Sequence, residues 1–339
     1  MASTTLLNTV TLSEFTDLVE KEFVLTQQMV QPAAQQLFIT DDITANTGNT
    51  RRYDEIDTET YASLKPEGSD TVKARVNVGY NKTMTAKRIA KEVDITWEMR
   101  RYNKNPEATG ALWNLGHFCP QRLELDITHR LTFCSSTSYT DQDGESVTIT
   151  GGDGLAVLST AHTLSQSSTT WSNRVSGDPV FSQGALEAAE LLTTTDILSN
   201  YGEKRTMNFN TIVSGDDPNT VRTIRQVLES TADIDTSNAG VLNVYKGRYR
   251  HVILPNLATT ATGAKDSTKR RWWFIAATGQ GIMGWQSYLG LFEAVNLRKP
   301  ELGNNGEDVH NHNWTYGTAC SYGIVTLSGR GLVGSLPTS

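Results

Sequence analysis

The stretch from Arg51 to Lys91 constrains the fold most, because it has a strand pattern but few large apolar side chains. Apolar and polar residues alternate along it, and a period of two is typical of a strand with one buried face. The alternating apolar residues are Val72, Ala74, Val76, Val78 and Tyr80. The turn-like sequence Lys65-Pro66-Glu67-Gly68 predicts an antiparallel partner strand through Tyr53, Ile56 and Tyr61. We therefore expect a long two-stranded hairpin.

This hairpin needs a second surface, because an isolated two-stranded hairpin is at best marginally stable in water. Its first limb is acidic and its later part is basic, a division that would suit complementary patches on neighbouring copies. We therefore expect contacts between subunits, and a solvated hairpin on a monomer is the alternative. The residues expected to make these contacts are Tyr53, Ile56, Tyr61, Val72, Arg75, Val76, Val78 and Tyr80.

The composition argues against one large enzyme domain. Hydrophobic residues make up 37% of the 339 residues and the mean hydropathy is -0.38, and both values are low for this length. Much of the chain is therefore expected to be extended or buried against partners. Charged residues make up 20%, as in ordinary folded proteins, so disorder is not expected. The net charge of -7 disfavours a dedicated nucleic-acid binder, which needs an excess of Lys and Arg.

Neither a secretory signal nor a membrane span is expected. The N-terminal segment lacks a basic region followed by an apolar run, and no stretch of about 18 apolar residues occurs. Cys119, Cys134 and Cys320 have neither the even number of a disulfide framework nor the close spacing of a zinc site. We interpret them as reduced thiols in a cytoplasm.

Two helices are predicted on either side of the hairpin. A capping box at Thr11 and Glu14 predicts a helix over residues 12–31, followed by a polar, extended segment to residue 50. After the hairpin, Asn105-Pro106 is a typical helix start, and apolar residues recur every three or four positions as far as Cys134. Gly116 and Pro120 predict a bend in this long helix.

The rest of the chain is predicted to be mixed in structure. A Gly-, Ser- and Thr-rich region to residue 173 contains a short hairpin around Asp143-Gly144, and residues 182–200 form a second amphipathic helix. Strands at 208–214, 247–255 and 271–277 surround a helix that begins at Asp217-Pro218. Extended runs at 288–297 and 314–333 return strands late in the chain.

A Ser, a His and an Asp occur close together between residues 151 and 173. Asp153, Ser159 and His162 have the side chains of a hydrolase triad, in which the nucleophile must lie within hydrogen-bond reach of its base. Ser159 lies in the sequence LSTAH, which lacks the flanking glycines and the following helix of a nucleophile elbow. Hydrogen bonds within a loop explain these residues at least as well. A serine hydrolase is kept as an alternative function.

Two other patterns suggest a ligand but have simpler explanations. Residues 278–284 contain G-x-G-x-x-G, yet the residues that follow show no helical face to hold a pyrophosphate, so a glycine-rich turn is expected. Trp272-Trp273 follows three basic residues and would be able to stack nucleic-acid bases. Aromatic residues in a strand more often pack in a core or an interface, which is the expectation here.

Two patterns suggest a metal ion. Asp308, His310 and His312 would share one face of a strand, but the neighbouring Asn and Gly residues favour a loop. Asp141 and Asp143 fit the start of a calcium loop that lacks the required Glu at its twelfth position. We predict no catalytic residue, no cofactor and no metal.

The order of the elements resembles the major capsid proteins of tailed bacteriophages, which have the Hong Kong ninety-seven type fold. That order is an N-terminal arm, a long two-stranded extension, a bent long helix, a mixed α/β middle and late strands. The sequence GLAVLSTAHT at residues 154–163 is also similar to a short stretch of such coat proteins, with Leu158 where Phe is common and Thr163 where Pro is common. The resemblance implies an α+β phage capsid fold.

The family's parts can be assigned to this sequence. The resemblance implies an N-terminal arm at 1–50, an E-loop hairpin at 51–91, a peripheral domain at 92–207 with its spine helix at 106–135, an axial domain at 208–287, and return strands of the peripheral domain at 288–339. It also implies that the long helix changes curvature near Gly116 and Pro120 when a procapsid expands.

The resemblance implies a major capsid protein without enzymatic activity, which assembles through hexamers and pentamers into an icosahedral shell around double-stranded DNA. The implied partners are other copies of the chain, a separate scaffolding protein, a portal and non-specifically bound DNA, with a decoration protein as a further candidate and no membrane. The location would be the virion, after assembly in the host cytoplasm. The alternatives are an encapsulin-like nanocompartment, a serine hydrolase, and an adhesin or tail protein.

Overall fold

The computed structural model describes residues 11–30, 32–45, 48–58, 61–74, 76–231, 242–300 and 312–338. The described helices are α1 (Leu12–Met29), α2 (Trp97–Arg101), α3 (Asn105–Thr132), α4 (Gln183–Thr195) and α5 (Pro218–Glu229). The described strands are β1 (Ile39–Asp42), β2 (Thr50–Thr58), β3 (Val76–Thr85), β4 (Lys87–Ile95), β5 (Ser138–Thr140), β6 (Ser146–Thr148), β7 (Thr211–Ser214), β8 (Arg250–Ile253), β9 (Trp273–Ala276), β10 (Ser287–Arg298), β11 (Trp314–Thr326) and β12 (Leu332–Ser335). Among these helices, none is long and apolar enough to cross a membrane.

One four-stranded sheet joins early and late parts of the chain. Its strand order is β1-β10-β11-β4, with β1 parallel to β10 and the other neighbours antiparallel. Helix α3 packs on β4 and β11, so that Ile127 and Leu131 reach the same core as Leu289. Residues 39–42, in the segment expected to be extended, form β1 of this sheet. Residues 87–91, which the expected hairpin included, lie instead in β4 and pair with β11.

A second four-stranded sheet has the order β12-β9-β7-β8. Its β7 and β8 are parallel, while β9 is antiparallel to both β7 and β12. Leu186 of α4 and Ile224 of α5 share a core with Ile212 and Ile275 of this sheet. Strand β12 and helix α4, which the resemblance places in the peripheral domain, lie with the strands of residues 211–276: Leu332 of β12 is opposite Ala276 of β9, and α4 packs in the same core. The division into domains stays a prediction.

The helix starts follow local sequence signals. Helix α1 begins with the predicted capping box, in which Thr11 and Glu14 each hydrogen-bond the other's backbone N–H. At the start of α5, the Asp217 carboxylate accepts a hydrogen bond from the Thr220 N–H at 3.1 Å. The start of α3 differs from the expectation, because Asn105 is already its first residue and Lys104 occupies the cap position without a capping side chain.

Helix α1 crosses α3 at Gly116. An added Cβ at this position would overlap Thr26 Oγ1 and would lie 2.8 Å from the Phe23 carbonyl oxygen. The apolar face of α1 therefore packs closely on α3, where Phe15, Val19 and Phe23 share a core with Leu115. Gly116 thus has a packing role that the sequence pattern does not reveal. The bend at Gly116 and Pro120 stays a prediction, although Pro120 does lie inside the helix.

Candidate assembly interface

The predicted hairpin is present, and only part of it contacts the rest of the chain. Strands β2 and β3 pair antiparallel from Thr50 opposite Thr85 to Thr58 opposite Val76. The predicted turn is also present, with the Ser69 N–H donating to the Pro66 carbonyl at 3.2 Å and Gly68 at a φ of 75°. Residues 61–74 between the strands form no regular strand, so the hairpin is shorter than the alternation predicts.

We call the half of the hairpin that includes residues 50–55 and 79–85 the root, and Met84 anchors it. Met84 is only 1% exposed and fits a slot in the first sheet where Gly290 of β10 lies opposite Gly323 of β11. A Cβ added at Gly290 would overlap the Met84 Cε, and one at Gly323 would lie 2.5 Å from the Met84 Cγ. The two glycines therefore leave space for the methionine side chain. This contact seats the root on its own subunit.

Two of the residues predicted to contact another subunit, Tyr53 and Tyr80, lie in the root and have partners within their own chain. Tyr53 stacks on Tyr288 with ring centroids 4.2 Å apart, and its hydroxyl donates to the Asp41 carboxylate at 2.8 Å. Burial raises the pKa of Tyr53, and the hydrogen bond to Asp41 raises it further, so this hydroxyl remains a donor. Tyr80 Oη lies 3.1 Å from Thr163 Oγ1. Intrachain partners therefore account for both tyrosine hydroxyls.

The Ser-, Thr- and Gly-rich stretch at 151–173 supports Tyr80. A Cβ added at Gly152 would lie 2.6 Å from the Tyr80 Cβ, so a glycine is needed for this close approach. Nearby, His162 is 1% exposed and its Nδ1 lies 2.7 Å from the Asp153 carboxylate. Its ring stacks on Trp171 with centroids 4.3 Å apart. The stretch therefore packs closely against the root of the hairpin at Tyr80.

A β-bulge separates the root from the rest of the hairpin. Asp54 pairs with Asn81 and Ile56 pairs with Val78, so two residues of β3 lie opposite the single residue Glu55. One extra residue reverses which face the following side chains occupy. Val78 therefore points to the face away from the body, directly across from Ile56. The sequence alternation places Val78 and Tyr80 on one face, and the bulge makes that expectation wrong.

Beyond the bulge, we call residues 56–58, 61–74 and 76–78 the distal arm. Large apolar side chains are between 56% and 91% exposed there, namely Ile56, Tyr61, Leu64, Val72 and Val78. Of the predicted contact residues, Arg75 lies outside the described residues. Val76 is part of β3, and its side chain is not described. Leu64 was not predicted, because it does not fit the alternation, yet it is the most exposed of the five.

The structure does not bring Ser159 and His162 together as nucleophile and base. The Ser159 hydroxyl accepts a hydrogen bond from the Ala161 N–H at 3.3 Å, while His162 Nε2 lies 3.2 Å from the side-chain oxygen of Asn173. Burial raises the pKa of Asp153, but the hydrogen bond and charge of His162 outweigh this effect, so the pKa lies below its usual range. These contacts position loops, as the preferred interpretation of this stretch predicts.

The two ligand-like patterns are structural in this fold. The G-x-G-x-x-G sequence follows β9 and contains only a short 3-10 helix at Gly281–Met283, so no α-helix begins there to bind a phosphate. Trp273 is 0% exposed, and its indole N–H donates to the Pro179 carbonyl at 3.0 Å. Trp272 is partly buried and packs against the core that α3 also joins, as expected for aromatic residues in or next to a strand.

The metal candidates divide between described and undescribed residues. The carboxylates of Asp141 and Asp143 pair with Arg122 at 3.3 Å and 2.9 Å, and Lys87 also contacts Asp141. Two of the three other candidates, Asp308 and His310, lie outside the described residues. Within the ranges that the structure describes, no group of three or more His, Cys, Asp or Glu side chains is arranged to hold a metal ion. The three cysteines are buried and unpaired by disulfides.

Comparison with known proteins identifies the fold by structure rather than by sequence. No protein-family model matches the sequence, and no curated protein matches it. Three solved structures align with a TM-score of 0.52. A chain from Gordonia phage Cozz is 14% identical, with 91% of this chain and 87% of that chain covered. The capsid of Ralstonia phage GP4 is 12% identical, with 90% and 91% covered, and that of cyanophage P-SCSP1u is 9% identical, with 90% and 88% covered. This chain has a phage capsid fold.

Within this capsid fold, two residues that hold the hairpin in place, Glu55 and Arg330, do not stand out in the sequence. Glu55 is 2% exposed and forms an ion pair with Arg330, which lies 275 positions away in the chain. A charged residue in a strand that alternates with polar neighbours gives no local sign that it is buried. The only available signal was Gly79, since an isolated glycine inside a strand pattern often marks a bulge or a close backbone approach.

Proposed function

We propose that the protein is the major capsid protein of a tailed bacteriophage and that it assembles into an icosahedral shell around double-stranded DNA. The observation that carries the proposal is the distal arm. In a chain with a phage capsid fold, it exposes five large apolar side chains, two on paired strands and three on the segment that connects them. Such a surface is typical of a protein–protein contact. Neighbouring subunits in a shell would cover it.

The arm suits assembly better than a solitary chain. Fully burying an apolar side chain of this size contributes about 1.5–3 kcal/mol, so five such residues represent a large unused gain in the isolated chain. Part of that gain is lost to ordering the arm and to the cost of association. Even a modest surplus is multiplied over every contact in a closed shell, which makes assembly cooperative. The arm therefore supplies a driving force for shell formation.

In this proposal, the parts of the chain take the roles of the family, with bounds changed from the expected ones to follow the described strands and helices. Residues 50–85 form the E-loop, α3 is the spine helix, and the second sheet with α4 and α5 forms the axial domain. The protein acts in the virion and has no catalytic residue. Its partners are further copies in hexamers and pentamers, the packaged DNA, a scaffolding protein and a portal.

The test is to express the protein alone and to measure its size by analytical ultracentrifugation and electron microscopy. The proposal predicts capsomers or closed particles of megadalton mass. A chain that stays monomeric at every concentration, with and without co-expressed scaffolding protein, contradicts it. The contents of shells from the native source then distinguish a viral capsid from a nanocompartment. Nuclease-resistant double-stranded DNA inside them supports a viral capsid, whereas packaged enzymes identify a nanocompartment.

A further inference from the structure

The bulge brings a buried ion pair to the point where the distal arm leaves the body. Glu55 of β2 and Arg330 of the connection between β11 and β12 pair with side chains that are 2% and 5% exposed. At the bulge, Gly79 allows this approach, because an added Cβ would lie 3.0 Å from Glu55 Oε2 and 2.8 Å from Asn200 Nδ2. The hairpin therefore changes from an anchored to an exposed structure beside this pair.

Arg330 connects its own segment to β2 and to the loop at residues 198–200. One of its terminal nitrogens donates to Glu55, the other donates to the Asn200 side-chain oxygen at 2.8 Å, and its Nε donates to the Leu198 carbonyl at 2.7 Å. The planar guanidinium holds these acceptors in a fixed geometry. The Asn200 N–H in turn donates to Asp57 at 2.9 Å, so the same loop also holds the strand beyond the bulge.

This arrangement is better suited to fixing a direction than to adding stability. A buried ion pair gains little net stability, because removing two charges from water offsets most of their attraction. Its geometric demands are strict, and here they act at a bulge, where the strand bends and the ladder of hydrogen bonds is locally interrupted. The contacts lie on both sides of the bulge, at Glu55 and at Asp57.

We propose that Glu55 and Arg330 are positioning residues that set the angle at which the distal arm leaves its own subunit. This inference rests on the proposed function, because the angle matters only if the arm must meet a neighbouring copy. When the pair is intact, the arm is presented in one orientation and docks without a search over many orientations. When the pair is broken, the arm samples a range of orientations, and assembly becomes slow even though the subunit is folded.

The test measures the arm directly in unassembled chains. Spin labels at Ser69→Cys, in the turn of the arm, and at Ala188→Cys, on the exposed face of α4, report the distance between arm and body. The three native cysteines are buried, so the labels attach to the introduced ones. With Glu55 and Arg330 unchanged, the two labels should give a narrow distribution of distances. Glu55→Gln and Arg330→Met should each broaden it, and assembly followed by light scattering should slow by about tenfold, since docking rates depend on orientation.

Two further variants separate a positioning role from a structural one. Asp54→Asn is the matched control, because Asp54 is the adjacent carboxylate, faces solvent and pairs with Arg52 at 2.7 Å; it should change neither the distance nor the rate. The double variant Glu55→Met/Arg330→Met removes both charges. It should regain most of the melting temperature lost by the single variants while keeping the broad distribution.

The outcomes are distinct for the two proposals. A narrow distribution in Glu55→Gln and Arg330→Met, or one restored together with stability in the double variant, overturns the positioning role. If the unmodified chain forms no shells but the single variants broaden the distribution, the proposed function fails and the positioning of the arm stands. Shells that form at the wild-type rate in both single variants overturn the positioning role alone.

Discussion

The root and the distal arm belong to one hairpin, yet their surroundings are opposite. In the root, Met84 occupies a slot between two glycines, and Tyr53 stacks on Tyr288 of the same chain. In the distal arm, Ile56 and Val78 are paired across the strands and are both more than half exposed. Strand pairing alone therefore does not decide whether the apolar side chains of a segment are buried. Among the described residues, the body of the subunit buries Met84 and stacks on Tyr53 in the root, but it leaves the large apolar side chains of the distal arm more than half exposed.

The difference between the root and the distal arm also explains how the arm can have a defined structure and still be free to contact a neighbouring copy. A hairpin that packed along its whole length on its own body would have nothing to offer a neighbour. One that packed nowhere would be unstable in water. The bulge opposite Glu55 separates the two halves of the hairpin, because beyond it Val78 joins Ile56 on the outer face, while Asp57 still accepts a hydrogen bond from the Asn200 N–H.

The largest expected effect comes from making the distal arm polar. The triple variant Tyr61→Gln/Leu64→Gln/Val72→Gln should reduce assembly by more than about a hundredfold, since several kcal/mol of apolar burial are lost at each contact. Its free energy of unfolding should stay within about 0.5 kcal/mol of the wild type, because these side chains are exposed in the isolated chain. Ultracentrifugation and urea denaturation measure the two quantities.

A control for the triple variant is Leu191→Gln, which replaces a leucine of α4, away from the hairpin, that is 61% exposed. It should leave assembly within a few-fold of the wild type. If the triple variant assembled normally, or if it lost stability as an isolated subunit, the distinction between root and arm would be wrong.

The next effect lies in the root. Met84→Ala should lower the free energy of unfolding by about 3 kcal/mol, which is typical of a large buried side chain removed from a core. Denaturation in urea measures the change in isolated subunits, without any assembly. An effect below about 0.5 kcal/mol would show that the root is not anchored by the slot between Gly290 and Gly323.

A smaller effect is expected at the bulge. Gly79→Ala should cost about 1–2 kcal/mol, because the new methyl group crowds Glu55 and Asn200. Gly110→Ala is the same substitution in a helix with open space around it, and it should stabilise the chain by about 0.5–1 kcal/mol. A lower melting temperature in Gly79→Ala and a higher one in Gly110→Ala would support the close packing at the bulge. Changes of the same sign in the two variants would argue against it.

The smallest effect should appear with pH. The folded-state pKa of Asp153 lies below its ordinary value of 3.8, so its contribution to stability is present above about pH 4. That contribution is lost as the pH falls through the folded-state pKa, because the protonated carboxyl loses the negative charge that strengthens its contact with His162. Stability curves below pH 4 should therefore be flatter in Asp153→Asn than in the wild type. If stability fell equally steeply with pH in the variant and the wild type, the packing of residues 151–173 would not depend on the charge of Asp153.

Much of the fold can be predicted from local sequence. The capping box of α1, the Asp217 cap of α5 and the turn at Pro66 depend on residues a few positions apart, and all three are present. The long helix was also placed within three residues of its observed ends, because its apolar repeat is long and regular.

Long-range pairing explains most of what could not be predicted. Gly116 looks like a point of bending in the sequence, and only the crossing of α1 shows that it is needed for packing. The partner of Glu55 is Arg330, and no pattern in either neighbourhood connects them. The bulge was missed because the alternation continues unbroken through Val78 and Tyr80, although their side chains occupy opposite faces.

Hydrogen exchange followed by mass spectrometry, in unassembled chains and in assembled particles, tests the central claim most directly. Peptides from the root, such as residues 79–85, should exchange slowly in both states, because their own subunit protects them. A peptide covering residues 61–74 should exchange rapidly in the unassembled chain and slowly in the particle. Equal exchange of this peptide in the two states would contradict the claim that a second copy completes the distal arm.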